Sequence, residues 1–352
     1  MNIKDIFSKA IEQKASDIHL VVGMVPMLRV DGELIEAGEK IISKKEMEQM
    51  IYSILTDEQK KTFLENKDLD FGYETDAKVR LRVNVLFEKN NIGLVARLIS
   101  TKIPTMKDIG MPEIVYNLLD LHQGLILVTG PTGCGKSSTL AAMIDYINSK
   151  RRCHILTLED PIEYLFTPDK SAIVQRQLGD DMSTFNAGLK HALRQDPNVI
   201  MVGEMRDLET ISATVTLAET GHLVFATLHT YSASQTIDRI IDIFPPHQQN
   251  QIRMQLSSTL AGIISQRLLP KIKGGRIATR EILVNTPAVS NLIRENKITQ
   301  IKTVIETSSK AGMVSMDQDL RRLYTEELIS KEVAQSYMEN PEMLEKFSFH
   351  IK

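Results

Sequence analysis

Apolar and polar residues follow two different periodic patterns along most of the chain. From residue 124 onward, short apolar runs typical of buried strands are followed by longer amphipathic stretches typical of helices. This alternation predicts a parallel β-sheet whose strands are joined by crossover helices. The predicted strands are 124–130, 154–159, 199–204 and 223–228, and the predicted helices are 136–148, 184–194, 208–220 and 234–243.

The first hundred residues follow a different pattern. Residues 17–22 alternate as a strand does, and Ser43 followed by Glu46 is typical of a helix capping box. Two β-rich runs, 79–87 and 92–99, are separated by four polar residues, which predicts a hairpin. We therefore predict a small α+β domain over residues 1–100.

Three further segments complete the predicted domain organisation. Residues 101–120 contain prolines and a glycine and are interpreted as a linker with a short helix. Residues 121–270 form the predicted α/β core. Residues 271–352 are predicted to be mainly helical, with a possible hairpin around Gly274 and Gly275 and a helix over 319–328.

Composition narrows the class of protein. The 352 residues, 42% apolar and 25% charged, are those of an ordinary globular protein with two or three domains. The apolar runs fall short of the ~20 residues that span a bilayer, and the N-terminus lacks the features of a secretory signal, so we expect neither a membrane span nor export. Two cysteines exclude a disulfide framework or a four-cysteine zinc site and favour the cytosol.

A phosphate-binding loop lies between the first predicted core strand and its helix. The sequence Gly130-Pro131-Thr132-Gly133-Cys134-Gly135-Lys136-Ser137 has the P-loop spacing and the strand-to-helix context that the motif requires. Glycines let backbone N–H groups turn inward around an anion, and the helix N-terminus adds its dipole. Lys136 is predicted to reach the β- and γ-phosphates, and Ser137 to ligate Mg²⁺.

Carboxylates follow the next two core strands. The run 154–159 ends at Glu159, and Asp160 and Glu163 come shortly after it. Because ligands bind at the carboxyl ends of parallel strands, one of these groups could polarise the attacking water; a solvated acidic turn is the alternative. The run 199–204 ends in Glu204, as a Walker B strand with Glu for the usual Asp, and Glu204 could hold Mg²⁺ through water or orient the nucleophile.

Two histidines bracket the fourth core strand. His222 precedes it and His229 follows it. A single histidine is more often a structural hydrogen-bonding group, but His229 beside the Walker elements is a candidate γ-phosphate sensor. A zinc site is not favoured, since these residues lack metal-ligand spacing. The net charge of −3 gives no global signal for nucleic acid, and a helicase is disfavoured because basic stripes with interleaved aromatics are missing from the sequence.

These motifs, in this order, resemble those of the secretion and pilus ATPases of the type II/type IV superfamily, and within it those of the pilus retraction ATPases. The resemblance spans nearly the whole chain. It includes Ser16-Asp17-Ile18-His19-Leu20 and the loop from Gly130 to Ser137. It continues through the segments 158–163, 203–207 and 220–229.

The resemblance implies a RecA-like P-loop NTPase core with a smaller PAS-like N-terminal α+β domain and a helical C-terminal region packed on the core. It also implies ATP and Mg²⁺ as cofactors, a homohexamer, Glu163 as the catalytic carboxylate and Glu204 as support for Mg²⁺. Family members use arginines of the N-terminal domain at the nucleotide, and Arg80, Arg82 and Arg97 match by position. Cross-strand surface charge is the alternative for these arginines.

The predicted site has three groups of residues. The catalytic group is Glu163, Glu204, His229, Arg82 and Arg97, and the metal group is Ser137 and Glu204. The residues predicted to bind the nucleotide are Gly130, Pro131, Thr132, Gly133, Cys134, Gly135, Lys136, Ser137, Ser138, Arg80, Glu159 and His222.

The function implied is an ATP-driven hexameric motor of pilus retraction and twitching motility. It would work in the cytoplasm, at the inner face of the membrane, on the inner-membrane platform protein, with related pilus ATPases as further candidate partners. Assembly-type relatives commonly carry a further N-terminal domain and a tetracysteine motif. This sequence shows neither feature, which favours retraction over assembly. The alternatives are a secretion or DNA-transfer ATPase of the superfamily, or a non-hydrolysing accessory ring that modulates a partner ATPase. One departure is Ala288-Val289-Ser290, where the retraction subgroup often has Ala-Ile-Arg.

Overall fold

The computed structural model describes residues 2–30, 32–99, 102–342 and 344. The chain divides into two compact units: the first comprises Met1–Lys102 and Pro161–Leu165, and the second Ile103–Asp160 and Phe166–Lys352. The predicted boundary at residues 100 and 101 falls on two residues outside the described ranges. The predicted domain limits therefore remain predictions.

The first unit is an antiparallel sheet with helices, as an α+β domain requires. The sheet has the order β3-β2-β1-β6-β5-β4. Its buried core includes Phe7, Ile18, Met47 and Phe63. The elements in chain order are α1 (Ile3–Glu12), β1 (Asp17–Leu20), β2 (Met27–Val30), β3 (Glu33–Glu36), α2 (Lys44–Tyr52), α3 (Asp57–Asn66), β4 (Asp68–Glu74), β5 (Arg80–Glu88) and β6 (Asn91–Leu98).

Local sequence signals account for several of these elements. The predicted capping box is confirmed: Ser43 accepts from the Glu46 backbone, and Glu46 accepts in return at the start of α2. The predicted hairpin is also confirmed, since β5 and β6 pair antiparallel. Lys89 and Asn90 form its turn with φ of 47° and 62°, as the tightest hairpin turns require at both central residues.

The second unit is built around a larger sheet of the order β13-β12-β7-β11-β10-β8-β9. The pairs from β12 to β9 are parallel, and β13 runs antiparallel to β12. The elements are α4 (Glu113–Leu119), β7 (Gly124–Thr129), α5 (Lys136–Lys150), β8 (His154–Glu159), β9 (Ala172–Gln177), α6 (Phe185–Ala192), β10 (Val199–Val202), α7 (Leu208–Glu219), β11 (Leu223–Leu228), α8 (Ala233–Asp242), α9 (Pro246–Thr259), β12 (Leu260–Pro270), β13 (Arg276–Val284), α10 (Pro287–Arg294), α11 (Ile301–Thr307), α12 (Met316–Thr325) and α13 (Lys331–Tyr337), with 3₁₀ turns at Ile298–Gln300 and Ser309–Ala311.

Both faces of this sheet are covered, which explains why its central strands are apolar throughout. Successive side chains of a strand point to opposite faces, so Leu125 and Leu127 of β7 join one hydrophobic cluster. Ile126 and Val128 of the same strand join another. The predicted parallel α/β core with crossover helices is confirmed, and the sheet fixes the carboxyl ends of β7, β8, β10 and β11 along one edge.

The structure departs from the sequence prediction at the margins of this core. The strand β9 was not predicted, and β13 lies in the C-terminal region that was expected to be mainly helical. Residue 270, the predicted end of the core, is the last residue of β12 in a β12–β13 hairpin, so the sheet continues past it. The glycines Gly274 and Gly275 lie between the two strands, as predicted. The predicted linker is also partly core, because Met106, Met111 and Val115 are buried in the second unit.

Candidate functional site

The loop between β7 and α5 has the backbone conformation of an anion-binding nest. Gly130, Gly133 and Gly135 have φ of 143°, 77° and 90°, values that residues other than glycine rarely adopt. Gly135 directly precedes α5, and among the described residues no side chain caps this helix. The first-turn N–H groups of α5 and the loop therefore form the N-terminal site that phosphate favours.

The position of Gly130 is fixed by its neighbours as well as by its φ. A Cβ at this residue would lie 2.2 Å from the Gln266 carbonyl oxygen and 2.6 Å from the Cys134 sulfur. Real Cβ atoms do not approach backbone so closely, so only glycine fits. The strand β12 thus packs directly against the start of the loop.

Lys136 lies over the loop that precedes it. Its Nζ donates to the carbonyl oxygens of Gly130 and Pro131 at 2.8 and 3.1 Å. The ammonium is therefore held at the loop, where a phosphate chain would bind. Burial raises the pKa of the neighbouring Cys134 thiol, and the charge of Lys136 opposes this only in part, so the thiol stays protonated.

Glu204 and His229 come together at the ends of adjacent strands. The strands β10 and β11 are parallel neighbours, and the His229 Nε2 lies 3.1 Å from the Glu204 Oε1. The other carboxylate oxygen accepts from Arg206 at 2.8 Å. Burial raises the pKa of Glu204, but the Arg206 and His229 contacts outweigh it, so the pKa lies below its ordinary value. Glu204 is therefore an ionised carboxylate near neutral pH.

The acidic residues after β8 are in different settings. Glu159 is buried, and its Oε1 accepts from the Thr157 hydroxyl at 2.7 Å and from the Gln175 amide at 3.1 Å. Glu163 is exposed and lies in the segment Pro161–Leu165 of the first unit. Glu159 is thus held by the sheet, whereas Glu163 has the exposure that a group contacting water needs.

His222 is not near the loop within this chain. It precedes β11, and its backbone carbonyl accepts from the N–H of Gly124 at the start of β7. The loop follows the other end of β7, about 20 Å away along a six-residue strand. The ring of His222 instead contacts the Leu217 carbonyl at 2.9 Å. Within this chain His222 thus has a structural contact, and its role in nucleotide binding stays a prediction.

The three predicted arginines all lie on β5 and β6 of the first unit. Arg82 and Arg97 are directly opposite each other, and both are exposed. Arg97 also donates to Asp17 at 2.8 Å. Burial raises the pKa of Asp17, but hydrogen bonds from Ser16 and Arg97 outweigh this and lower the pKa. Arg80 is the first residue of β5. The three arginines thus lie on paired strands, as the alternative of cross-strand surface charge requires. Their role at the nucleotide stays a proposal.

Two polar residues of β12 beneath the loop were missed from the sequence. Buried Ser265 accepts from the Thr129 hydroxyl at 2.9 Å, and buried Gln266 contacts both the loop and α5. A pair of polar residues within the apolar run 260–269 was the available signal. It was not used, because no strand was predicted over these residues.

A cavity of about 420 Å³ lies against the loop. The Arg267 guanidinium lies between two aromatic rings there, 5.7 Å from the centroid of Tyr231 and 5.9 Å from that of Tyr337. These distances are typical of cation–π contacts. The lining residues are Pro131, Thr132, Gly133, Cys134, Tyr231, Arg267, Leu268 and Tyr337.

The oxygen donors near the loop suit Mg²⁺. Ser137 is in the first turn of α5 and Glu204 follows β10, and hydroxyl and carboxylate oxygens are the ligands that Mg²⁺ accepts. In the described ranges no group of three or more His, Cys, Asp or Glu side chains could hold a metal ion. Such a sparse set fits Mg²⁺, which keeps several waters and substrate phosphates as ligands.

The departure at Ala288-Val289-Ser290 has a structural context. Ser290, in place of the arginine of the subgroup signature, lies in α10. Its hydroxyl donates to the Ser257 carbonyl at 2.8 Å and to Asn285 at 3.0 Å. The neighbouring Val289 is fully buried. This stretch therefore fastens α10 to the end of α9.

The parallel sheet, the glycine loop and the Glu204 strand together define a P-loop ATPase. The family described as type II/IV secretion system protein matches residues 1–346, and the chain belongs to this family. Within the described residues, none of the helices combines the length and the apolar character needed to cross a membrane.

Individual relatives narrow the comparison. The type IV pilus retractation ATPase PilT of Pseudomonas aeruginosa is 45% identical over 342 residues, covering 97% of this chain and 99% of the relative. A twitching motility protein of Neisseria gonorrhoeae is 45% identical over 320 residues, covering 91% and 86% of the two chains. The crystal structure of the pilus retraction motor PilT with bound ADP has a TM-score of 0.92 at 44% identity, covering 99% of this chain and all of that one.

Proposed function

We propose that this chain is an ATP-hydrolysing motor that drives type IV pilus retraction. The observation that carries the proposal is 45% identity over 97% of the chain to a retraction ATPase. A similarity over nearly the whole of both chains favours retraction over secretion or DNA transfer. The presence of both Lys136 and an ionised Glu204 supports a hydrolysing enzyme and not an accessory ring.

The phosphate loop is the proposed binding site for the phosphate chain. Its N–H groups and the N-terminus of α5 supply partial positive charge, and Lys136 supplies a full one. The Lys136 ammonium already lies at the loop carbonyls, so a small side-chain movement takes it to the β- and γ-phosphates. When bound, Mg²⁺ would neutralise phosphate charge, with Ser137 and Glu204, through water, as its protein partners.

Hydrolysis needs a group that activates water and cations that stabilise the transition state. Glu163 is the proposed general base, supported by its exposure and by the family resemblance of the box around it. His229 would sense the γ-phosphate and transmit its presence to Glu204, which it contacts directly. Arg82 and Arg97 are the proposed cations for the developing γ-phosphate charge, with Arg80 as a further nucleotide contact.

The proposed assembly is a homohexamer at the inner face of the cytoplasmic membrane. There it would act on the inner-membrane platform protein at the pilus base and, in some cells, beside related pilus ATPases. Full-length similarity to a protein described as a retraction motor supports this setting.

The test joins a biochemical and a cellular measurement. Purified wild-type protein should release phosphate from ATP in the presence of Mg²⁺, and Glu163→Gln should reduce kcat by about 100-fold or more while ADP still binds. Deletion of the gene should leave cells piliated but unable to retract. Loss of all pili, or an inactive wild-type protein across Mg²⁺ and protein concentrations, would contradict the proposal.

A further inference from the structure

Gln266 is a buried polar side chain that is hydrogen-bonded at both ends of its amide beside the loop. It is 1% exposed, and its Nε2 donates to the Cys134 carbonyl at 2.8 Å. Its Oε1 accepts from the Thr139 hydroxyl at 2.9 Å. One amide therefore joins β12 to the middle of the phosphate loop and to the first turns of α5.

The chemistry of the two partners fixes the orientation of the amide. A carbonyl oxygen accepts only, so the NH₂ group must face Cys134, and the amide oxygen then faces Thr139. The Thr139 hydroxyl donates to that oxygen and opposes rotation of the side chain. Gln266 consequently presents its donor to the loop in a fixed direction.

This contact determines where the next N–H group of the loop points. In a trans peptide, the carbonyl of one residue and the N–H of the next point in opposite directions. A Cys134 carbonyl held toward Gln266 therefore turns the Gly135 N–H away from Gln266. The Gln266 backbone carbonyl, 2.2 Å from where a Gly130 Cβ would lie, limits the loop at its other end.

We propose that Gln266 is a positioning residue that preorganises the Gly135 N–H for phosphate binding. The inference rests on the proposed nucleotide binding. Groups fixed in advance bind charge without reorganisation, so the amide raises affinity although it does not contact the ligand. Because a phosphate is bound in the ground state as well as in the transition state, the amide should act mainly on Kd and KM.

The experiment measures ADP affinity of the full chain by titration of a fluorescent N-methylanthraniloyl-ADP, together with Tm and steady-state ATP hydrolysis. Gln266→Leu keeps the approximate size of the side chain and removes both hydrogen bonds. We expect ADP Kd and ATP KM to rise by about tenfold or more, with a smaller change in kcat. Gln266→Glu keeps the acceptor for Thr139 but places a carboxylate against the Cys134 carbonyl, so its loss should be at least as large.

A neighbouring residue provides the matched control. Ser265→Ala removes a buried hydrogen bond, Thr129 to Ser265, between β7 and β12 but leaves the loop carbonyl bonded. It should lower Tm to a similar degree while ADP Kd stays within about twofold. If Gln266→Leu lowers Tm and leaves Kd within that range, Gln266 is only structural and the inference is wrong. Equal losses of affinity in both variants would contradict it as well.

A second pair of variants keeps the test decisive if Gln266→Leu does not fold. Thr139→Val removes the hydroxyl that orients the amide, and Thr139→Ser retains it. Val should weaken ADP binding several-fold and Ser should restore it; equal affinity in the two would contradict the proposal. A chain that binds ADP with this pattern but does not retract pili would refute the proposed function and leave the role of Gln266 intact.

Discussion

The two sides of the phosphate loop are built from different kinds of polar group. On the framework side, defined by Ser265 and Gln266 of β12, uncharged groups are buried and hydrogen-bonded. On the charged side, defined by Glu204, Arg206 and His229, the groups are ionisable and partly exposed. Buried neutral hydrogen bonds hold a fixed geometry, whereas exposed charges can exchange partners with a ligand or with water. The comparison predicts that the framework side sets stability and, through Gln266, affinity, and that the charged side sets the rate.

The largest effect should come from filling the space where loop and framework meet. Gly130→Ala would place a methyl group 2.2 Å from a backbone oxygen, at a φ of 143°. We expect a loss of roughly 3 kcal/mol or more of unfolding free energy and no measurable ADP binding. Urea denaturation and an ADP titration measure both.

Gly133→Ala is the matched control for this change. A Cβ there meets nothing within 4 Å, so only the strain of a φ of 77° remains. This should cost about 1 kcal/mol. If the two variants were equally stable, packing by β12 would not define the loop.

On the charged side, Glu204→Gln should reduce kcat by about 100-fold or more and change ADP affinity little. The amide keeps the size of the side chain but loses the negative charge that Arg206 and His229 contact. Single-turnover ATP hydrolysis and ADP titration separate the two effects. Glu209→Gln, at an exposed carboxylate of α7, should leave both unchanged. A Glu204→Gln enzyme within about threefold of wild-type kcat would remove the distinction between the two sides.

A smaller effect should appear in the pH dependence of stability. The folded-state pKa of Glu204 is lowered from the ordinary value of 4.5, so folding favours the ionised form. Its contribution is therefore fully present above the unfolded-state pKa and is lost as pH falls through the lowered folded-state pKa. The difference in unfolding free energy between wild type and Glu204→Gln, about 1 kcal/mol at pH 7, should shrink below pH ~4.5. Urea denaturation from pH 7 to pH 3 measures it, and a constant difference would contradict the assignment.

The smallest effect is expected at the far edge of the sheet. His222→Ala should leave ADP Kd within about twofold, because β11 separates this residue from the loop by its whole length. His229→Ala should instead reduce kcat, since its ring contacts Glu204. The same titration and hydrolysis assays apply to both. A large loss of ADP affinity in His222→Ala would show that the residue acts at a nucleotide after all.

The sequence was informative about the charged side and uninformative about the framework side for a physical reason. Charged residues that directly follow apolar strands must lie at the carboxyl edge of a parallel sheet, so Glu204 and His229 could be placed from the pattern alone. The placement of Gln266 beneath the loop depends on the face of β12 to which its side chain points. That is set by the register of β12 against β7, a non-local pairing that local sequence does not determine.

The register of β12 shifts between Leu260 and Gly262, where two residue steps on β12 match one step on β7. Beyond this bulge, alternation sends Gln266 beneath the loop and Arg267 toward Tyr231 and Tyr337. Loss of one residue between the bulge and Gln266 would move Arg267 into the position of Gln266 and place a guanidinium under the phosphate site. Related chains should consequently tolerate substitutions along β12 far better than a single-residue insertion or deletion. A change of length would turn every side chain beyond it to the opposite face of the strand.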